Sequence, residues 1–335
     1  MILILGASGF IGSYMIRKLL DEKKQVVGTY FSKKPDFEHK NLTWIQLDIG
    51  KKEDFSKLPT SNVEAIIMFA GRLPANVKYD DANFDDSEEY VKTNVLGTIY
   101  ALEYCVKNKI PNFLYTSSYS DILANGIDGK PIKENAERKI KYTGDHSAYI
   151  ISKLAAIDYI FHYAKTFDFK PIIFRLPPVY GVGPHGTIYV DGKAYKSGIQ
   201  TFVEKAQNGE DIELWGNENL YRDIIYVKDL VDACYQAIES KDAYGIYNIS
   251  NGEKLYLKDQ IQIIIDVFGK DKKSKIVLRP EKPNNSPSYV LDISKSIKDF
   301  GFAPKFADYK DMMIDFKKEM ENNFYNDWFK DRKNK

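Results

Sequence analysis

Cysteine is scarce in this chain: Cys105 and Cys234 are the only two in 335 residues. That excludes a disulfide framework. Each falls in a segment with helical apolar spacing, where a buried structural thiol is the expected state. Charge of one sign is equally lacking. The 48 basic and 47 acidic residues leave a formal charge of +1, so no electrostatic field invites nucleic acid or an anionic membrane surface. Long apolar runs are missing too, and none approaches the roughly 20 residues that a membrane helix needs. The opening Met1-Ile2-Leu3-Ile4-Leu5 is too short for a signal-peptide core, and no basic region precedes it. A cytoplasmic location is the expectation. No internal repeat or low-complexity segment occurs, and no metal site is expected.

Short apolar runs at 1–5, 25–29, 42–46, 65–69, 112–115 and 171–174 read as strands. Helical patterns lie between them, at about 10–22, 87–107 and 148–167. This alternation predicts an α/β fold, a doubly wound parallel sheet with helices on both faces. The strands are almost wholly apolar, as strands covered on both faces are. After Arg175 a loop rich in Pro and Gly breaks the pattern. The expected organisation is a dinucleotide-binding domain over 1–175, with segments near 212–250 returning to it. Residues 176–330 then form the main part of a smaller, partly discontinuous α/β substrate lobe. The charged end, 327–335, is expected to fray.

Gly6, Gly9 and Gly12 follow directly on five apolar residues and open a helical segment. Glycines so placed allow a tight turn and let a pyrophosphate approach the backbone at a helix N-terminus. Ser8, Phe10 and Ile11 belong to the same cradle. A nicotinamide dinucleotide is therefore expected. An acid at the end of the second strand would hold the adenosine ribose of NAD. The chain reads Thr29-Tyr30-Phe31-Ser32-Lys33-Lys34 there, with no acid. Ser32, Lys33 and Lys34 stand where a 2′-phosphate would be met, which favours NADP over NAD. Asp48 and Ile49, just past the third strand, are placed to contact the adenine. Ala70 and Gly71 end the fourth strand with small residues that leave room for the cofactor.

Tyr149 and Lys153 lie four residues apart in Ala148-Tyr149-Ile150-Ile151-Ser152-Lys153. On a helix that spacing puts both on one face. An ammonium beside a phenol favours the phenolate, so the tyrosine can serve as acid or base nearer neutral pH. Tyr14/Lys18, Tyr30/Lys34 and Tyr189/Lys193 share the spacing. Context selects Tyr149: it opens a long helix about 30 residues after Tyr115-Thr116-Ser117-Ser118, which ends the fifth strand.

In this order of motifs the chain resembles the extended short-chain dehydrogenase/reductase superfamily, whose dinucleotide domain is a Rossmann fold, in its nucleotide-sugar epimerase/dehydratase branch. Further similar segments are Thr93-Asn94-Val95-Leu96-Gly97-Thr98, Arg175-Leu176-Pro177-Pro178-Val179-Tyr180-Gly181 and Tyr221-Arg222-Asp223-Ile224-Ile225-Tyr226. Tyr247-Asn248-Ile249 and Asp292-Ile293-Ser294-Lys295 add to these. The resemblance implies Tyr149 as the acid/base, Lys153 as its tuner and holder of the nicotinamide ribose, and Ser118, with Ser117 second, as the substrate-orienting hydroxyl. It implies Arg222 as the grip on a sugar-nucleotide diphosphate, Arg279 as a second phosphate-binding arginine and Tyr289 facing the sugar. For Arg222 the rival is an ion pair with Asp223 or Asp229, and for Tyr289 a core position. A homodimer through the helices near 87–107 and 148–167 is also implied.

Departures narrow the chemistry. Sugar 4,6-dehydratases follow the catalytic hydroxyl with Asp-Glu, whereas Ser118 is followed by Tyr119-Ser120. Neither cysteine is placed for the epimerisation that GDP-fucose-synthase-like enzymes perform. Phe69 stands where a His is usual. The polar insert at 186–198 is expected to form a hairpin beside the sugar pocket, with His185 ahead of it. The leading expectation is an NAD(P)-dependent nucleoside-diphosphate-sugar 4-epimerase, with an NADPH-dependent 4-keto-sugar reductase as the alternative. A non-catalytic dinucleotide-binding protein and a reductase of non-nucleotide carbonyls are the remaining readings.

Overall fold

The computed structural model describes every residue except 75–85, 145, 185–186, 191–192, 271–273, 285, 323–324, 326–327 and 330–335. Five strands of the first half are β1 (Ile2–Leu5), β2 (Val26–Tyr30), β3 (Leu42–Gln46), β4 (Ala65–Met68) and β5 (Asn112–Ser118). Between them run α1 (Phe10–Asp21), α2 (Ser87–Tyr90) and α3 (Gly97–Lys107), then α4 (Ser147–Phe167) and β6 (Lys170–Leu176). A π-helical turn, Val91–Leu96, joins α2 to α3. The apolar pattern predicts one helix there. The widened turn is the difference, and its consequence falls on the site.

The second half contributes β7 (Val179–Tyr180), β8 (Thr187–Val190), β9 (Lys193–Lys196), α5 (Gly198–Asn208), β10 (Ile212–Trp215), β11 (Tyr221–Arg222) and β12 (Ile225–Tyr226). It continues with α6 (Val227–Glu239), β13 (Gly245–Asn248), β14 (Leu255–Tyr256), α7 (Leu257–Phe268), β15 (Ile276–Arg279), α8 (Ser294–Phe300) and α9 (Tyr309–Glu321).

Seven strands form one parallel sheet in the order β13-β6-β5-β4-β1-β2-β3. Crossovers in both directions from β1 produce this order. β1 and β4 are buried at every position, because a core cluster lies on each face of the sheet. Of the expected return near 212–250, β13 joins the sheet beside β6 and α6 packs on α1. β10 does not return: it pairs with β15 in a separate two-stranded sheet. Both cysteines are fully buried, and burial pushes the Cys105 thiol up to about 12. Among the described residues no helix is long and apolar enough to cross a membrane.

The order of strands reverses between β1 and β4. Ligands bind outside the carboxyl ends of parallel strands at such a switch point, and the carboxyl ends of β1, β4, β5 and β6 face one cavity.

Candidate active site

The cavity has a volume of about 1680 Å³. Its floor is the turn between β1 and α1. Gly6 holds a φ of +84°, which favours glycine, and a Cβ there would lie 2.6 Å from the Ala70 amide nitrogen. A Cβ on Gly12 would lie 2.5 Å from the Gly6 carbonyl oxygen. The turn is thus pressed against both the end of β4 and the start of its own helix. Gly9 donates its amide to the Gly6 oxygen at 3.0 Å, and Gly6 donates to the Thr29 hydroxyl at 3.0 Å. Gly6, Ser8, Gly9, Phe10, Ile11 and Gly12 all line the cavity. The first-turn amides of α1 have no acceptor within the helix, and the helix dipole adds partial positive charge. The cradle therefore fits the pyrophosphate of a dinucleotide.

Ser32, Asp48, Ile49, Ala70 and Gly71 line the same cavity. Asp48 Oδ1 accepts the Gly50 amide at 2.9 Å, which fixes the carboxylate. Lys33 does not line the cavity, and Lys34 pairs with Glu38. From outside, the Trp328 indole donates to the Ser8 carbonyl at 3.3 Å and packs on Phe37 and Trp44 at 5.4 and 5.7 Å.

Of the four Tyr/Lys pairs, Tyr149/Lys153 lines the cavity. Tyr14 donates to the Val182 carbonyl and Lys18 pairs with Asp232. Tyr30 packs edge-on to Trp44. Tyr189 and Lys193 sit in the β8–β9 hairpin. Tyr149 is 7% exposed, and burial pushes its phenol up. Burial also lowers the Lys153 ammonium to about 7. Lys153 Nζ donates to the Tyr115 hydroxyl at 3.1 Å and the Thr116 carbonyl at 2.8 Å, and lies 4.3 Å from the Tyr115 ring centroid. The anticipated lowering of Tyr149 by Lys153 is not what the folded chain displays, because burial dominates both groups.

Ser117 and Ser118 end β5 and line the cavity. Ser118 Oγ lies 2.8 Å from Ser120 Oγ and accepts the Ser120 amide at 3.2 Å. Asp121 takes no part: it forms a buried pair with Arg175 at 2.8 Å, both 2% exposed.

Sequence reasoning quoted Asn94 within a motif but gave it no role. The π-helical turn directs its side chain inward, and such turns recur at functional sites. Asn94 Oδ1 accepts the Arg72 amide at 2.8 Å, and its Nδ2 donates to Ser152 Oγ at 2.9 Å. It therefore ties the Gly71 turn to the α4 face that carries Tyr149 and Lys153. A Cβ on Gly71 would come within 3.1 Å of Asn94 Oδ1.

Arg222 lines the cavity and is half-buried, and among the described residues its guanidinium has no ion pair or hydrogen bond. The rival pairing with Asp223 or Asp229 does not occur. Asp223 accepts Ser250 Oγ at 2.7 Å and the Leu291 amide at 2.9 Å. Asp229 accepts the Lys305 and Phe306 amides at 2.8 and 2.9 Å. Burial raises the phenols of Tyr119, Tyr180, Tyr289 and Tyr309, and Arg222 opposes that rise at each. Its charge is thus centred among four tyrosines.

Two expected contacts lie elsewhere. Arg279 pairs with Glu213 on the β10–β15 sheet, is exposed and does not line the cavity. Tyr289 is buried one layer back: its hydroxyl donates to the Asp223 carbonyl at 3.0 Å and its ring stacks on Tyr119 at 4.6 Å. The expected hairpin is present as antiparallel β8 and β9, and Lys196 at its end lines the cavity. His185 lies outside the described residues.

A glycine cradle at a switch point, with a buried Tyr–Lys pair beside it, defines a nicotinamide-dependent enzyme of the short-chain dehydrogenase type. Sequence comparison agrees: the NAD dependent epimerase/dehydratase family profile matches residues 2–250, and the chain belongs to that family. The dTDP-4-dehydro-6-deoxyglucose reductase of Escherichia coli is 25% identical over 315 residues, covering 90% of this chain and 92% of its own. The fold matches Thermotoga maritima UDP-glucose 4-epimerase, solved with UDP-glucose, at a TM-score of 0.76 and 21% identity, over 96% of this chain and 99% of that one. It also matches UDP-N-acetylglucosamine 4-epimerase of Methanobrevibacter ruminantium at 0.77 and 22%, over 96% and 98%.

Proposed function

We propose that this protein is a nucleoside-diphosphate-sugar 4-epimerase. One observation carries the reading: Arg222, a cation with no acidic partner among the described residues, shares a cavity with Tyr149, Lys153 and Ser118. A half-buried guanidinium calls for an anion, and a diphosphate supplies two phosphoryl groups to the planar donor array. The solved epimerases that share the fold, with their UDP-sugar ligands, support the same class.

In this reading a bound nicotinamide supplies the hydride chemistry at sugar C4. Tyr149 takes the proton of the 4-hydroxyl and later returns it. Ser118 hydrogen-bonds the same oxygen and fixes its distance from Tyr149. Lys153 holds the nicotinamide ribose beside Tyr149. Asn94 keeps the Gly71 turn and α4 in register. Epimerisation restores the C4 hydrogen to the opposite ring face, so the sugar must turn while its diphosphate stays held by Arg222.

One observation favours a second reading, an NADPH-dependent 4-keto-sugar reductase. β2 ends without a carboxylate, and the cavity-lining Ser32 presents a hydroxyl that suits a 2′-phosphate. The reductase of Escherichia coli supports it as well. Residues 1–175, with α6 and β13 returned to them, serve as the dinucleotide domain, and 176–330 as the substrate lobe. We further propose a homodimer through α3 and α4, supported by Ile151 and Tyr159, which are 46% and 42% exposed on α4.

The test is incubation with UDP-, GDP-, CDP- and dTDP-hexoses and separation of the products by chromatography. The proposal predicts interconversion of one 4-epimer pair without added cofactor, lost in Tyr149→Phe. Absence of any interconversion, with oxidation of NADPH by a 4-keto sugar instead, contradicts the epimerase and supports the reductase.

A further inference from the structure

The Arg222 end of the cavity holds a group that neither the catalytic set nor the glycine cradle uses. Tyr309 is the first residue of α9, is 5% exposed, and lines the cavity. Its hydroxyl oxygen is buried without a hydrogen-bond partner. A buried hydroxyl left unpaired costs free energy, and native chains rarely keep one without a reason.

The surroundings say what would pair with it. Phe316 and Met320 lie on the same face of α9 and also line the cavity. Tyr309 is therefore the polar point of an apolar wall, where a hydrogen bond gains from the exclusion of water. Tyr180 stands 6.2 Å away, ring to ring, and donates to the buried Gln260 at 3.4 Å. Among the described residues, Arg222 is the one charged group that acts on the Tyr309 phenol, and no carboxylate does. Burial keeps the phenol protonated, so it serves as a donor. A cation and a donor at one end of a cavity call for an anionic oxygen.

We propose that Tyr309 is a substrate-binding residue whose hydroxyl donates to a phosphate oxygen also held by Arg222. The assignment rests on the nucleoside-diphosphate-sugar reading and adds to it a binding group from the C-terminal helix.

Tyr309→Phe removes the oxygen and keeps the ring. Calorimetric titration of UDP, GDP, CDP and dTDP into the full-length wild type, Tyr309→Phe, Arg222→Met and the double variant tests the assignment. The nucleotide that wild type binds best should bind Tyr309→Phe about 10- to 100-fold more weakly. The two losses should combine less than additively, because both donors meet one oxygen. Without nucleotide, Tyr309→Phe should melt at the wild-type temperature or above it, since an unpaired hydroxyl has gone. A twofold or smaller change in Tyr309→Phe, with binding lost in Arg222→Met, overturns the role of Tyr309 and leaves the proposed function intact. A lower melting temperature of Tyr309→Phe marks the hydroxyl as structural and also overturns it. If wild type binds none of the four, or Arg222→Met binds as wild type does, the proposed function itself falls and this inference with it.

Discussion

Lys153 is held at about 7 in the folded chain, against an ordinary 10.5, because its ammonium is buried. Below pH 7 both folded and unfolded chains carry the proton, and the fold bears the full cost of a buried charge. Between pH 7 and 10.5 the unfolded chain holds the extra proton, so stability rises with pH through that window. Lys153→Met removes the effect. Relative to wild type, the variant should therefore gain about 3 kcal/mol more stability at pH 6 than at pH 9, at roughly 1.4 kcal/mol for each of the two pH units over which the proton difference holds. Urea midpoints at the two pH values measure this. Equal differences at both would show that Lys153 is solvated in the folded state. Tyr149 was legible in the sequence because helix position and an upstream strand end separate it from three look-alike pairs. Tyr309 and Asn94 were not. Their roles depend on a partner elsewhere in the chain and on an inward turn, and neither leaves a periodic trace.

At the scale of elements, the β1–α1 turn is the most constrained. A Cβ on Gly12 would meet the Gly6 and Ala7 carbonyl oxygens at 2.5 and 2.6 Å. Backbone atoms cannot yield as a side-chain tip can, so Gly12→Ala must push α1 away from β1. The expected cost is about 1–3 kcal/mol from overpacking, with loss of dinucleotide binding. Thermal unfolding with and without NAD(P) checks both, and a variant with wild-type melting and affinity would contradict the packing. The helix over residues 87–107 was legible as one helix from its apolar spacing. Its π-helical turn was not, since one wider turn barely disturbs a 3.6-residue period. The two-residue strands β7, β11 and β14 are likewise too short for any alternation to register, whereas β12 falls within the apolar run at 224–227 that reads as a strand.

For the whole molecule, the sheet order was legible because alternating strands and helices with right-handed crossovers allow few topologies. The substrate lobe was legible only as a list of elements. The pairing of β10 with β15, and the seating of α9 against the cavity, come from packing between distant segments. That packing removes Arg279 from the site and puts Tyr309 into it. In the proposed epimerase one cavity both holds a dinucleotide and turns over a sugar against it without exchanging the cofactor. The most direct measurement is to denature the purified protein and identify the released dinucleotide by mass and absorbance. Near-stoichiometric release of a retained nicotinamide dinucleotide is the result expected of an epimerase. A protein that releases none, yet binds added NADPH from solution, would contradict the epimerase and identify a cofactor that exchanges at every turnover.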